Sequence, residues 1–426
     1  MIIDFTVRNF RSFKDEQLFS LYAENKPKYH GENIHYSDDG IGVLRSCGIY
    51  GANASGKSNL ISAIEALCDL TLKSAHYAEG DEIECYDPYL LDEHTKVQPT
   101  YFDIEFIVKG NRYSYQVEFT SSQVTYEKLS CYPTNRAALL FERKSATDYK
   151  NVKFGERLKG GKKRLGFFAN NSYLSKAGYT PESPPVLRDI FNFLKQDVFI
   201  LLTEQRIFGV DWKTDNQMLS LMSTFLNKAD LGIKELKRES RDAGELHIPD
   251  DIPDDLKEAL LKDSKSKYVF YHHTNVGEPV KLQRNQQSLG TLRMFELMPV
   301  VLLILKHGDT ICIDEIEQSF HPHIAELIIK LFNDPSVNVK GAQLIYTTHN
   351  VSLMSSSLLR KDQIYFVEKS VEHGSRLYNL ESFDSSQLKD SSPFGKWYDE
   401  GRLGAVPQVA YKDIADAIRG GLNAKE

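Results

Sequence analysis

Three groups of residues in this 426-residue chain have the types and spacing to handle a polyphosphate. The first is Gly51, Ala52, Asn53, Ala54, Ser55, Gly56, Lys57 and Ser58, an unbroken GxxxxGK[ST] run, with Asn59 directly after it. Its glycines permit a loop whose backbone N–H groups converge on phosphate oxygens, Lys57 adds a point charge near the β and γ phosphates, and the Ser58 hydroxyl can ligate Mg²⁺. The second is Asp314-Glu315, which follows the buried-strand pattern Thr310, Ile311, Cys312, Ile313. Open α/β sheets hold their ligands at the C-terminal ends of strands, so Asp314 is expected in a Mg²⁺ shell and Glu315 as the base that polarises an attacking water. Acid pairs after strands also cap helices, and the upstream phosphate loop decides between the two readings. The third is His349, just past a second buried strand that ends in Tyr346-Thr347-Thr348. A lone histidine is more often a cap or surface group, but after the carboxylate strand it fits a sensor that hydrogen-bonds the γ-phosphate.

The elements that must position these groups are legible from periodicity. Cys47-Gly48-Ile49-Tyr50 enters the glycine loop as a strand, and Leu60, Ile61, Ile64, Leu67 and Cys68, spaced by three and four, mark an amphipathic helix leaving it. A buried strand at 310–313, a helix over about 321–332, and strands at 343–347 and 363–368 imply a mainly parallel sheet. A second region alternates: Ile3, Phe5 and Val7 with a partner strand at 17–21, then Phe102 to Val108 and Tyr113 to Phe119 about the turn Lys109-Gly110-Asn111. Residues 23–42 read as a loop, and 290–305 as an apolar helix in which Pro299 forces a kink or a late start. Between 131 and 275 the strand rhythm is lost; prolines at 181, 184 and 185 and helical patterns near 186–197 and 215–240 suggest an inserted, mostly helical subdomain. The fold class expected is therefore α/β: a mixed sheet with a phosphate-loop core, plus an antiparallel β-subdomain and the helical insertion. The boundaries expected are 1–130, 131–275 and 276–426.

Composition narrows the function classes. The net charge of −7 lowers the case for a nucleic-acid binder and leaves any DNA contact to a local basic surface such as Lys159, Lys162, Lys163 and Arg164, a run that is more commonly a solvated loop. Five cysteines without a CxxC pair argue against disulfides or a thiolate zinc site and suit a reducing cytoplasm. The longest apolar run, 300–305, is too short to span a bilayer.

The order of phosphate loop, acidic strand and histidine resembles ATP-binding-cassette ATPases, in particular the RecF, SMC and overcoming-lysogenisation-defect branch. Asn9-Phe10-Arg11-Ser12-Phe13 is similar to the N-terminal strand of SMC-type heads, which implies that Arg11 approaches the nucleotide phosphates. The run from Asp314 through Ile316, Glu317, Gln318, Ser319, Phe320 and His321 to Pro322 resembles the acidic pair and D-loop of such heads. Gln287-Ser288-Leu289-Gly290-Thr291 falls where the signature motif lies, although it reads Ser-Leu-Gly-Thr where transporter cassettes have Ser-Gly-Gly-Gln. The resemblance implies ATP and Mg²⁺ as ligands, ATP hydrolysis as the activity, and a head-to-head homodimer or higher oligomer. In that dimer Ser288, Gly290 and Thr291 of one copy meet the nucleotide on the phosphate loop of the other. The ending Trp397-Tyr398, Gly401-Arg402, Gly404-Ala405 and Pro407 looks like that of ATPases from bacterial abortive-infection and phage-defence operons, or else is a C-terminal packing motif. The defence resemblance implies a switch controlling a separate effector, such as a TOPRIM-like or RloB-type nuclease. The alternatives it leaves open are a RecF-like DNA-repair ATPase and a low-turnover regulatory nucleotide binder.

Overall fold

Alternating apolar residues at the N-terminus form the strand Ile2–Arg8 (β1), which pairs antiparallel with Gln17–Ser20 (β2) and buries Phe5 and Val7 completely. This computed structural model describes residues 1–23, 29–144, 151–203, 216–229, 232–240, 266–275, 277–318, 321–370, 372–384, 388–406 and 410–423. The chain divides into two units, one of Met1–Thr203, Gly308–Ile316 and Ile329–Glu426, the other of Glu204–His307 and Glu317–Ile328.

In the first unit, Ile34–Tyr36 (β3) and Gly42–Leu44 (β4) make a small hairpin inside the stretch expected as loop, because Ile34, Val43 and Leu44 bury their side chains. Ser46–Tyr50 (β5) is buried at every position and runs through the glycine loop into Lys57–Lys73 (α1), whose Leu60, Ile61, Ile64 and Leu67 are fully covered. The meander follows as Thr100–Val108 (β6), Asn111–Phe119 (β7), Val124–Cys131 (β8), Ala138–Lys144 (β9) and Lys153–Phe154 (β10). Val108 pairs with Asn111, leaving Lys109 and Gly110, both at positive φ, as a two-residue turn whose twist matches its strands. These strands and the first two form one sheet in the order β10-β9-β8-β7-β6-β1-β2.

Two short helices, Tyr173–Gly178 (α2) and Pro185–Asn192 (α3), precede Val198–Leu201 (β11). In the second unit Asn216–Lys228 (α4) is followed by an antiparallel sheet of Ile233–Ser240 (β12), Ser266–His272 (β13) and Val280–Leu282 (β14), then by the helix Leu289–His307 (α5). Segment 131–275 thus holds strands as well as helices, and the helix expected to reach 240 gives way to β12. A register shift between Ile233 and Glu235 places the buried Ile233 and Leu236 three apart, which imitates helical spacing. Pro299 lies inside α5, which begins ten residues before it.

Back in the first unit come Thr310–Ile313 (β15), then Pro322–Asn333 (α6), which crosses into it, Gln343–Thr347 (β16), Ile364–Ser370 (β17) and Gly374–Asn379 (β18). The second large sheet runs β11-β15-β16-β5-β17-β18, parallel throughout except for the β17/β18 pair. Its order is what matters for chemistry: β5, β16 and β15 are neighbours, so their C-terminal ends open side by side. The chain closes with Phe394–Asp399 (α7) and Tyr411–Asn423 (α8). The aromatic ending packs as a clamp on the sheet: Tyr398 of α7 stacks on Phe366 at 5.6 Å and donates its hydroxyl to Ala405 O, while the Tyr378 hydroxyl donates to Leu403 O. Pro407 lies outside the described residues. Lys159, Lys162 and Arg164 are exposed around Gly160 and Gly161, both at positive φ. All five cysteines are free thiols, and no helix among the described residues is long and apolar enough to cross a membrane.

Candidate nucleotide site

The glycine loop leaves a central strand and is pressed between neighbours. A Cβ on Gly51, at φ 152°, would lie 2.3 Å from Val367 O, and one on Gly56, at φ 112°, would lie 2.4 and 2.5 Å from the hydroxyls of Ser375 and Ser12. Only glycine fits either place. Helix α1 starts immediately after, with no side chain capping its N-terminus. Its first N–H groups are therefore donors in want of acceptors, at the positive end of a 17-residue helix. Ser55 Oγ is buried within the loop with no hydrogen-bond partner among the described residues. An uncapped helix start and an orphaned hydroxyl are what a phosphate would satisfy. Lys57 is 5% exposed and curls over the loop, its Nζ donating to Gly51 O at 2.9 Å and Ala52 O at 3.0 Å. Asn53, Ala54 and Ser58 face solvent.

Asp314 is buried at the end of β15 with both oxygens engaged: Thr347 Oγ1 donates to Oδ1 at 2.6 Å and Thr203 Oγ1 to Oδ2 at 2.8 Å. Glu315 takes a left-handed backbone, φ 49°, and its side chain lies 3.7 Å from His349 Nε2. The other imidazole nitrogen, Nδ1, is 3.5 Å from Lys57 Nζ. Lys57, His349 and Glu315 therefore form a line across the ends of β5, β16 and β15. The ammonium is a donor only, so a hydrogen bond between it and Nδ1 requires that nitrogen to accept, which in a neutral ring puts the proton on Nε2, the nitrogen facing Glu315. One exposed hydroxyl at Ser58 and one carboxylate at Asp314 suit a hard divalent cation that keeps most of its waters, as Mg²⁺ does.

A family model described as AAA domain, putative AbiEii toxin, Type IV TA system matches residues 47–355, well over half of the chain. The chain belongs to that AAA family. Among solved structures it is similar to the SMC head domain from Thermotoga maritima, at 14% identity over 89% of this chain and 98% of that one, with a TM-score of 0.38. It is also similar to the recombination mediator protein RecF of the RecFOR pathway, at 13% identity over 89% and 98%, with a TM-score of 0.36. No curated protein matches the chain.

The structure also places the other site residues expected of this AAA-family chain. Arg11 is exposed, at φ 47°, and pairs through Nε with Asp87 Oδ2 at 2.8 Å, while its backbone N–H donates to Asp87 O. Its neighbour Ser12 abuts Gly56 and accepts from Asn59 Nδ2 at 2.8 Å, so Asn59 braces the loop from behind. Ser288, Gly290 and Thr291 lie in the other unit, at the start of α5. There Ser288 Oγ accepts from the Thr291 N–H at 3.1 Å, capping the helix, and Leu289 stands 79% exposed beside it. Of the D-loop run, Ser319 and Phe320 lie outside the described residues. Thr203 and Thr347 carry no sequence signature as site residues. The only hint was Thr347's place two residues before His349.

Proposed function

We propose that this chain binds and hydrolyses ATP and uses the cycle as a switch in a defence or toxin–antitoxin system, acting through a separate effector. One observation carries the hydrolytic part: the phosphate loop, Asp314, Glu315 and His349 converge on adjacent strand ends, with Lys57, His349 and Glu315 in line. In this reading the uncapped start of α1 and residues 51–58 receive the polyphosphate, and Lys57 moves from its loop carbonyls to the β and γ phosphates. Ser58 and Asp314 would hold Mg²⁺, which offsets phosphate charge when bound. Glu315 accepts the proton of the attacking water. His349 orients Glu315 through Nε2–H and exchanges that contact for the γ-phosphate.

Ser288, Gly290 and Thr291 complete the site from a second copy, giving an isologous pair of heads around two ATP molecules. The exposed Ser288 and Leu289 at the start of α5 support this, since they offer a surface for a partner to cover. The family's description supports the defence or toxin–antitoxin setting.

The test compares wild-type and Glu315→Gln protein with Mg²⁺ and ATP, by phosphate release and by mass from light scattering. Turnover is expected to fall by about 10²–10⁴-fold in the variant, the usual worth of a general base, and its mass with ATP to double. A wild type without turnover sinks the hydrolytic reading, and a variant that stays monomeric sinks the paired heads. For the switch, the gene with and without its neighbour is challenged with a panel of phages. Equal plaque counts in every combination would remove the defence role.

A further inference from the structure

Three consecutive residues at the end of β15 lean on one residue of β16. The Thr347 hydroxyl donates to Asp314 Oδ1 at 2.6 Å and accepts from the Glu315 N–H at 2.8 Å, and the Thr347 carbonyl accepts from the Ile316 N–H at 3.0 Å. Between the last two contacts sits Glu315 at φ 49°. A non-glycine residue is strained there and persists only where its surroundings hold it. Its carboxylate points to His349 only while that backbone is held. A hydroxyl has a single proton, which here goes to Asp314, so the lone pair facing the Glu315 N–H fixes the direction of donation. Thr347 is fully buried, and water cannot replace the hydroxyl without rearrangement. Thr203 makes a simpler contact, donating to Asp314 Oδ2 and touching neither Glu315 nor its backbone through any hydrogen bond described.

We infer that Thr347 is a positioning residue that couples the metal-holding carboxylate to the general base, whereas Thr203 orients the metal-holding carboxylate alone. This rests on the ATPase reading above. Removing the Thr347 hydroxyl frees one oxygen of Asp314 and at the same time strips the N–H partner from the strained Glu315. Both Mg²⁺ dependence and the chemical step should suffer. Removing the Thr203 hydroxyl should disturb mainly Mg²⁺ dependence, because it leaves the Glu315 N–H contact in place.

The experiment uses the full chain as wild type, Thr347→Val, Thr347→Ser and Thr203→Val. Valine keeps the branched shape and loses the hydroxyl; serine keeps the hydroxyl. Each protein is measured for binding of a fluorescent ATP analogue without metal, for the Mg²⁺ concentration giving half-maximal effect, for single-turnover hydrolysis at saturating Mg²⁺, and for its melting temperature. Thr347→Val is expected to lose about 10–100-fold in hydrolysis at saturating Mg²⁺, the usual worth of an orienting partner, while metal-free nucleotide binding stays within about twofold because no hydrogen bond described for the loop involves Thr347. Thr347→Ser should recover most of that rate. Thr203→Val should raise the Mg²⁺ requirement by about 10-fold or more and, once Mg²⁺ saturates, lose much less rate than Thr347→Val.

A wild-type rate in Thr347→Val overturns the inference, and so does a Thr347→Ser protein as slow as the valine variant, which would show a packing role. If Thr347→Val melts before it can be assayed, the serine and Thr203→Val proteins decide the matter: a Thr203→Val protein that loses about 10-fold or more in rate at saturating Mg²⁺ refutes the division of labour. If the wild type itself releases no phosphate, the ATPase reading fails, and the coupling is read from binding alone. Thr347→Val and Thr203→Val must then still shift the Mg²⁺ dependence of nucleotide binding, and an unchanged dependence refutes it.

Discussion

Gly56→Ala tests whether the phosphate loop owes its shape to contact with the strands behind it. The new methyl would sit at φ 112°, 2.4 Å from Ser375 Oγ and 2.5 Å from Ser12 Oγ. Both hydroxyls are already committed: Ser375 Oγ donates to Ser55 O at 2.5 Å, and Ser12 Oγ accepts from Asn59 at 2.8 Å. The positive φ costs about 1–2 kcal/mol for a side chain, and displacing the two hydroxyls forfeits hydrogen bonds worth about 1 kcal/mol each, together about 3–4 kcal/mol. That energy can appear as lost stability or as a loop that no longer cradles phosphate, so both are measured, by thermal unfolding and by equilibrium binding of ATP. A loss taken wholly in binding is about 100-fold or more, since 1.4 kcal/mol is tenfold. The contact argument makes a second demand. Ser375→Ala in the Gly56→Ala background removes the closer oxygen, leaving the Ser375 Cβ at 3.1 Å, and should restore part of the loss. Wild-type melting and wild-type ATP affinity in Gly56→Ala would refute the reasoning. A double variant no better than the single one would show that φ alone, not the packing, sets the cost.

Arg143→Ala should destabilise the protein by about 3–5 kcal/mol, the usual effect of breaking a buried ion pair, read as a fall in melting temperature with the nucleotide site untouched. Arg143 and Glu127 have no exposed side-chain surface, and Glu127 also receives the backbone N–H groups of Tyr173 and Leu174 that begin α2. Burial pushes the Cys68 thiol from 9 up to about 12, with the carboxylates of Asp69 and Glu65 adding to the effect. A thiol whose folded value is raised stays protonated in the fold while the unfolded chain ionises, so its contribution to stability is whole below about pH 9 and is lost as the pH climbs toward 12. Alkylation at pH 8 should accordingly label the partly exposed Cys131 first and reach Cys47, Cys68 and Cys312 only on unfolding, as peptide mass mapping would show. Labelling of Cys68 at the rate of Cys131 would contradict its burial.

Much of the site was legible because its chemistry depends on residue type at short spacing. A loop of eight residues between an apolar run and an amphipathic helix, an acidic pair after four buried residues, and a histidine one residue beyond five more such positions are local patterns, and local hydrophobic periodicity orders them correctly as strand, loop and helix. The sequence also specified where glycine was needed, at 51 and 56, without saying what would crowd them. The contacts that crowd them come from Val367, Ser375 and Ser12, over 300 residues and some 40 residues away in the chain. In β12 a one-residue register shift put buried side chains three apart, and no local rule separates that from a helix. The sheet order, with β5 seated between β16 and β17 rather than beside its sequence neighbours, is likewise a product of long-range pairing. That order alone brings Lys57 to His349 and places the Thr347 hydroxyl between Asp314 and the Glu315 amide. Residue identity determined which groups could act on a phosphate; strand pairing across the chain decided which of them meet, because hydrogen bonds between distant residues leave no periodic trace in sequence.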